Sequence, residues 1–307
     1  MQVVTAEQML LEDLKRSGLQ ASDFGAYLAQ ETELAAVGIK PHLYLGNPNI
    51  TVPGYVIPYF GIDGDRAPFY RVRLFNPLPK GARYLQPGNS GSWVYYPKIF
   101  AGLAKSTAEG KTRTKVNGHA PAILITEGEK KAAKACVEGF PTCGLGGVYN
   151  WRTKTIILPE GAQLLRNQNN QIIAKINGNA NMPATSDRRA FLAAGLEQLI
   201  HFVLTQELQI VIVFDCDKKP NKDVDTAAAE LAFEFRVHGV PTNRVRRLLL
   251  PAEEGRKVGL DDFLVRYGAD ALDALLAKCV ESRTAFPAHP NLKALINQKM
   301  NSRLVFW

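Results

Sequence analysis

The sequence predicts an α/β protein built on a parallel sheet, with a smaller basic α+β unit ahead of it. Three observations predict this. The stretch Ile210–Asp217, IVIVFDCD, runs apolar and mostly β-branched residues into two aspartates without polar alternation, the pattern of a central strand buried on both faces. Around it, strand-like runs alternate with helical ones, as a parallel sheet requires. Upstream, from about Thr51, the texture changes to strands rich in arginine and aromatic residues.

A length of 307 residues suits one large domain or two moderate ones, and 46% hydrophobic with 21% charged residues is ordinary globular composition. The net charge of +8 favours a polyanionic partner, moderately. Four cysteines, Cys136, Cys143, Cys216 and Cys279, form no CxxC pair, so neither structural zinc nor a disulfide framework is expected. No stretch approaches the ~18 apolar residues of a membrane span, and the N-terminus MQVVTAEQMLLEDLK lacks a signal-peptide pattern. The expected location is a reducing cytoplasm.

In chain order, residues 1–50 read as a helical segment. Thr5-Ala-Glu-Gln8 is a capping box ahead of a helix reaching about Gly18, and Ser22 is placed to cap a second helix up to the Gly38/Pro41 break. Residues 51–118 read as a basic strand-rich subdomain and linker. Tyr55–Phe60 and Phe69–Phe75 are strands joined by a loop holding Asp63-Gly64. Arg71 and Arg73 stand two apart, hence on one strand face, followed by Arg83 and Lys98, with Tyr70, Phe75, Tyr84 and Trp93 interspersed. Such a face tracks a phosphate backbone and stacks bases, or is a solvated surface beside a few core aromatics. Residues 102–118, small, polar and basic, suit a linker or mobile loop.

Residues 119–285 carry the parallel sheet. Ala122–Thr126 is a second buried strand and Glu129–Glu138 a helix with Ala132, Ala133, Cys136 and Val137 packed, so Glu127 sits at a strand-to-helix junction. Residues 160–185, rich in Asn and Gln, look like a surface insertion, and Ser186 is placed to cap a helix presenting Leu192, Leu196, Leu199 and Val203 on one face. Thr226–His238 is a helix, Val245–Leu250 a strand, and Lys257–Leu264 sets Asp261 and Asp262 just before a short helix. Residues 286–307 form a tail with an apolar stripe at Leu292, Leu295, Ile296 and Met300.

Ligands of open α/β sheets collect at the carboxyl ends of the strands. Asp215 and Asp217 occupy such an end, where a spacing of two aims both carboxylates one way. Two convergent carboxylates ask for a hard divalent cation; a strand running into an Asx-rich turn is the other reading.

ITEGE after one strand and FDCD after another resemble the two acidic motifs of a Toprim domain, the Rossmann-like fold shared by DnaG-type primases, topoisomerases and OLD-family nucleases. KVGLDDFLVRYGADAL is similar to the acidic segment and helix that close this domain in primases. VIPYFGIDGDRAPFYRVRLF followed by ARYLQPG resembles the basic, aromatic subdomain that precedes it, while DLKRSGL and GLGGVYNW look most like primase-related proteins of phages and plasmids. The resemblance spans roughly residues 10–280, and the paired acidic motifs are its specific part.

By position, the resemblance implies that Glu127 acts as general acid/base or helps hold metal, that Asp215 and Asp217 bind Mg²⁺ or Mn²⁺, and that Asp261, with Asp262 beside it, belongs to the late acidic segment. It implies phosphoryl transfer that makes short RNA on single-stranded DNA from NTPs. The apolar tail either folds back onto the core, docks a replicative helicase or begins a neighbouring domain. Two positions depart from the pattern. Lys131 stands where these primases commonly carry Asp, and Gly259 stands at the first acidic position of the late segment. A cation in place of a carboxylate weakens or removes one metal unless Glu129 or Asp262 compensates, or it touches a nucleotide phosphate directly. A catalytically impaired DNA-binding module therefore remains an alternative, and a Toprim nuclease a more distant one.

Overall fold

A computed structural model of the chain describes residues 4–40, 52–77, 81–116, 120–156, 162–166, 172–176, 179–183, 188–216, 221–252 and 256–279. Asp217 and the tail from Pro287 to Trp307 lie outside the described residues.

The parallel sheet is organised by β7 (Ala120–Glu127) and β14 (Gln209–Val213), which pair in parallel from Gln209 opposite Ala122 to Val213 opposite Thr126. On the far side of β14 lies β15 (Val245–Arg247), and on the far side of β7 lies β8 (Thr142–Leu145), both parallel to their neighbours. The short strand β5 (Val94–Tyr95) closes this edge antiparallel to β8, and β6 (Lys115–Val116) pairs with the start of β7. Two short strands from the stretch assigned to the upstream basic unit thus join the parallel sheet.

Alternation of side chains across a strand splits the central residues between two cores. Ile123, Ile125, Ile210 and Ile212 pack with Phe100, Leu199, Val203, Leu231 and Phe235. These come from α4 (Phe100–Ala108), α6 (Leu196–Thr205) and α7 (Lys222–Val237). Ala122, Leu124, Val211 and Val213 pack on the other face with Ala135 of α5 (Glu129–Val137) and with Phe263, Leu272 and Leu276 of α8 (Leu260–Ala277). All eight strand residues are fully buried, which accounts for the apolar run with no polar positions in it.

The basic unit is a second sheet, antiparallel, ordered β1 (Tyr27–Leu28), β2 (Gly54–Phe60), β3 (Arg66–Leu74), β4 (Tyr84–Leu85). Its core of Tyr55, Ile57, Tyr59 and Phe69 is shared with Leu10 and Leu14 of α1 (Ala6–Arg16) and with Ala132 and Ala133 of α5. Helix α5 is therefore packed on both sheets, and its N-terminus lies where they meet. Between β8 and α6 the chain forms a ribbon of β9 (Arg152–Ile156) and β13 (Arg188–Leu192) and a small antiparallel sheet of β10 (Ala162–Arg166), β11 (Ile172–Ile176) and β12 (Asn179–Pro183).

Several elements differ from expectation. The stretch 102–118 expected as a linker is helical in its first part, to Ala108 in α4, where Phe100, Ala104 and Thr107, at helical spacing, are buried. The second helix expected from Ser22 stops after one turn as α2 (Ala21–Phe24), where Gly25 turns left-handed at φ 65°. A separate α3 (Glu31–Ala36) follows β1. Leu192 is the last residue of β13 rather than part of α6, since the strand is fixed by pairing with β9, Leu192 opposite Arg152. Among the described residues, no helix is long and apolar enough to cross a membrane.

Candidate active site at the strand ends

The parallel pairing of β7 and β14 places Glu127, one residue past Thr126, and Asp215, two past Val213, at the same carboxyl edge. Glu127 ends β7 in a half-buried position opposite Leu145 of β8. The chain then turns at Gly128, whose φ of 97° favours glycine. The Gly128 amide donates to Leu145 O at 2.7 Å. A Cβ on Gly144 would lie 2.8 Å from Gly128 O, so glycine there lets α5 start tight against β8.

Asp215 is the buried acid of this edge, its side chain 2% exposed. Its Oδ2 accepts from Lys131 Nζ at 2.7 Å and lies 3.0 Å from Lys257 Nζ. Among the described residues its Oδ1 is buried without a hydrogen-bond partner. After β14, Cys216 forms a two-way backbone bridge with Val258, at 3.0 and 2.9 Å, and this bridge carries Lys257 and the turn at Gly259 to the acidic edge. A Cβ on Gly259 would lie 2.6 Å from Lys131 Cε and 2.9 Å from Asp261 Oδ1. The lysine stem fills the space that any side chain at 259 requires. The two departures noted in the sequence are therefore one structural feature.

Asp261 and Asp262 open α8 with separate tasks. Asp261 is buried, and its Oδ2 accepts from Ser17 Oγ at 2.7 Å. Asp262 is exposed, and its Oδ2 accepts from the Gly259 amide at 3.1 Å, capping the helix.

Arg71 and Arg73 are turned inward. Arg71 donates to Glu129 Oε1 at 2.6 Å, which Tyr59 also reaches at 2.7 Å. Burial pushes the Glu129 carboxyl upward, but the Arg71 charge and the hydrogen bonds from Tyr59 and Arg71 outweigh it and hold the group below its ordinary value. Arg73 grips Asp13 through Nε at 2.6 Å and Nη2 at 2.5 Å, with Tyr55 Oη at 2.6 Å and Lys130 Nζ at 3.2 Å on the same carboxylate. Burial again opposes ionisation of Asp13, and Arg73, Tyr55 and Lys130 together hold it well below the usual carboxylate range. Both guanidinium groups also lie over the Tyr84 ring, each 5.0 Å from its centroid. The expected cationic strand face is thus an internal brace between the two sheets. Of the other basic candidates, Arg83 and Lys98 are exposed.

Sequence reasoning missed Asp13, Ser17 and Lys257, and reads Glu129 as a substitute metal ligand rather than the buried partner of Arg71. Asp13 and Ser17 bolt α1 to the antiparallel sheet and to the first turn of α8. DLKRSGL carried these residues, but nothing local marked their partners.

The resemblance of the acidic motifs implies a divalent ion at this edge. Among the described residues no group of three or more His, Cys, Asp or Glu side chains converges to hold one. The orphaned Asp215 Oδ1 and Glu127 at the adjoining strand end are oxygen donors of the kind Mg²⁺ or Mn²⁺ accepts. The side of Asp215 that faces Gly259 is filled by an ammonium group. The donors left for an ion are Asp215 Oδ1 and Glu127, while the Gly259 side already holds the Lys131 ammonium.

One comparison with a solved structure agrees with this architecture. The fold is similar to that of a solved DnaG catalytic core, with a TM-score of 0.50 at 14% identity over 97% of this chain and 79% of that one. A second structure, a DnaG primase catalytic domain bound to single-stranded DNA, gives a TM-score of 0.48 at 12% identity over 97% and 85%. A domain of unknown function (DUF3854) matches residues 156–271. No curated protein matches the chain. The chain therefore shares the α/β fold of a DnaG catalytic core across nearly its whole length.

Proposed function

We propose that the protein is a primase-like nucleotidyltransferase of a mobile element that makes short RNA on single-stranded DNA. One observation carries the reading: within a fold like that of a DnaG core, Glu127 and the buried Asp215 end neighbouring parallel strands at one edge. Glu127 and Asp215, with Asp217, would hold a Mg²⁺ or Mn²⁺ ion, which when bound acidifies an attacking hydroxyl and offsets phosphate charge. Glu127, half-buried at the strand end, would either take a proton from a primer 3′-hydroxyl or serve as a ligand of that ion, the two roles the resemblance implies. Asp215 is held in one orientation by the two lysines on its Oδ2. Arg71 and Arg73 act indirectly, by fixing α5 and hence the position of Lys131. Exposed Arg83 and Lys98 are the candidates for contacts to template phosphates. NTPs and single-stranded DNA are the proposed substrates, and a replicative helicase a proposed partner.

The test is incubation with single-stranded template, labelled NTPs and Mg²⁺ or Mn²⁺. Oligoribonucleotides made by the wild type and lost in Asp215→Asn are expected; product undiminished by that substitution contradicts the reading. A second reading, a DNA-binding module without catalysis, is favoured by the two ammonium groups on Asp215. It predicts single-stranded DNA binding that weakens with salt, survives Asp215→Asn and is accompanied by no RNA synthesis.

A further inference from the structure

We infer that Lys131 is a built-in counter-ion that permanently occupies the cation position between Asp215 and the Gly259 turn, so that the site takes a single divalent ion. A carboxylate whose side chain is 2% exposed needs compensating charge, and here the protein supplies it. Lys131 Nζ sits 2.7 Å from Asp215 Oδ2, with Lys257 Nζ at 3.0 Å.

The lysine stem is not draped over a surface. It fills the place of a side chain at 259, where a Cβ would come within 2.6 Å of Lys131 Cε. Residues 131 and 259 are therefore a matched pair, long cation against no side chain. One oxygen of each neighbouring acid is already engaged, Asp261 Oδ2 accepting from Ser17 and Asp262 Oδ2 from the Gly259 amide. An ion entering there would have to displace the ammonium and meet its charge at close range. Asp215 Oδ1, buried and without a hydrogen-bond partner among the described residues, is the oxygen of this carboxylate that no ammonium group holds.

The inference rests on reading the acidic edge as a cation site, not on polymerisation. Its test therefore counts ions in the absence of template and nucleotide. Mn²⁺ is titrated into the full chain and bound ion is measured by electron paramagnetic resonance. One Mn²⁺ per chain is expected for the wild type; two, or none, would overturn the inference. Lys131→Met keeps the stem and removes the charge, and should bind the first Mn²⁺ more tightly, on the order of tenfold. Equal or weaker binding in a variant whose circular dichroism matches the wild type contradicts the counter-ion role. The double substitution Lys131→Asp with Gly259→Asp should raise the count from one to two. One bound ion without primer synthesis sinks the primase reading alone; two bound ions with primer synthesis sink this inference alone.

Discussion

Glu129 and Asp215 are both buried carboxylates paired to basic side chains, yet they are built in opposite ways. Glu129 faces one arginine and one tyrosine, both themselves enclosed: the Arg71 side chain is 12% exposed and Tyr59 1%. Asp215 faces two lysines that reach solvent, 20% and 49% exposed, and keeps one oxygen without a hydrogen-bond partner. The first arrangement is closed and braces two sheets. The second leaves a buried carboxylate oxygen uncommitted, and its bases can move toward solvent. Burial and pairing alone do not separate a structural acid from a functional one; the unpartnered oxygen and the reach of the bases do.

The contrast can be broken by neutralising each acid in turn. Glu129→Gln leaves the Arg71 guanidinium buried without its charge partner and should destabilise the fold by about 3–5 kcal/mol, read from urea unfolding. The same pair sets an acid dependence. Glu129 ionises more readily in the folded chain than in the unfolded one, so its stabilisation is present above the ordinary carboxyl value of 4.5 and is lost as pH falls through the lower folded value. Asp13 acts in the same direction from its ordinary 3.8. Unfolding free energy should therefore drop as the pH is lowered below about 4.5, and Glu129→Gln should flatten that slope.

Ser17→Ala removes the neutral donor to Asp261 and should cost about 1 kcal/mol, measured the same way, with primer synthesis retained. Asp215→Asn is expected to change stability least, by less than ~1 kcal/mol, because the lysines it releases can extend to water. The same variant should lose Mn²⁺ binding and primer synthesis. A loss of stability as large as that of Glu129→Gln would place Asp215 among the structural acids.

The parts of the site that were legible in the sequence are those whose meaning is local. IVIVFDCD and ITEGE announce buried strands by composition and acids by position, and both strand ends fall at one edge. Lys131 and Gly259 were visible as departures, but their fit to each other depends on the Cys216–Val258 bridge that brings the two segments together. Ser17 and Asp261 are 244 residues apart, and no periodicity links them. Arg71 and Arg73 were read correctly as sharing a strand face; which way that face points is decided by Glu129 and Asp13 on other elements. Helix α4 was hidden because its buried face is made of Ala104 and Thr107 behind Phe100, small or polar residues that read as linker.

The account turns on one oxygen. A crystal of the full chain soaked in Mn²⁺, examined by anomalous scattering, should show a single peak within coordinating distance of Asp215 Oδ1 and on the Glu127 side, with Lys131 still bonded to Oδ2. A peak between Asp215 and the turn at Gly259, with Lys131 displaced, would contradict it.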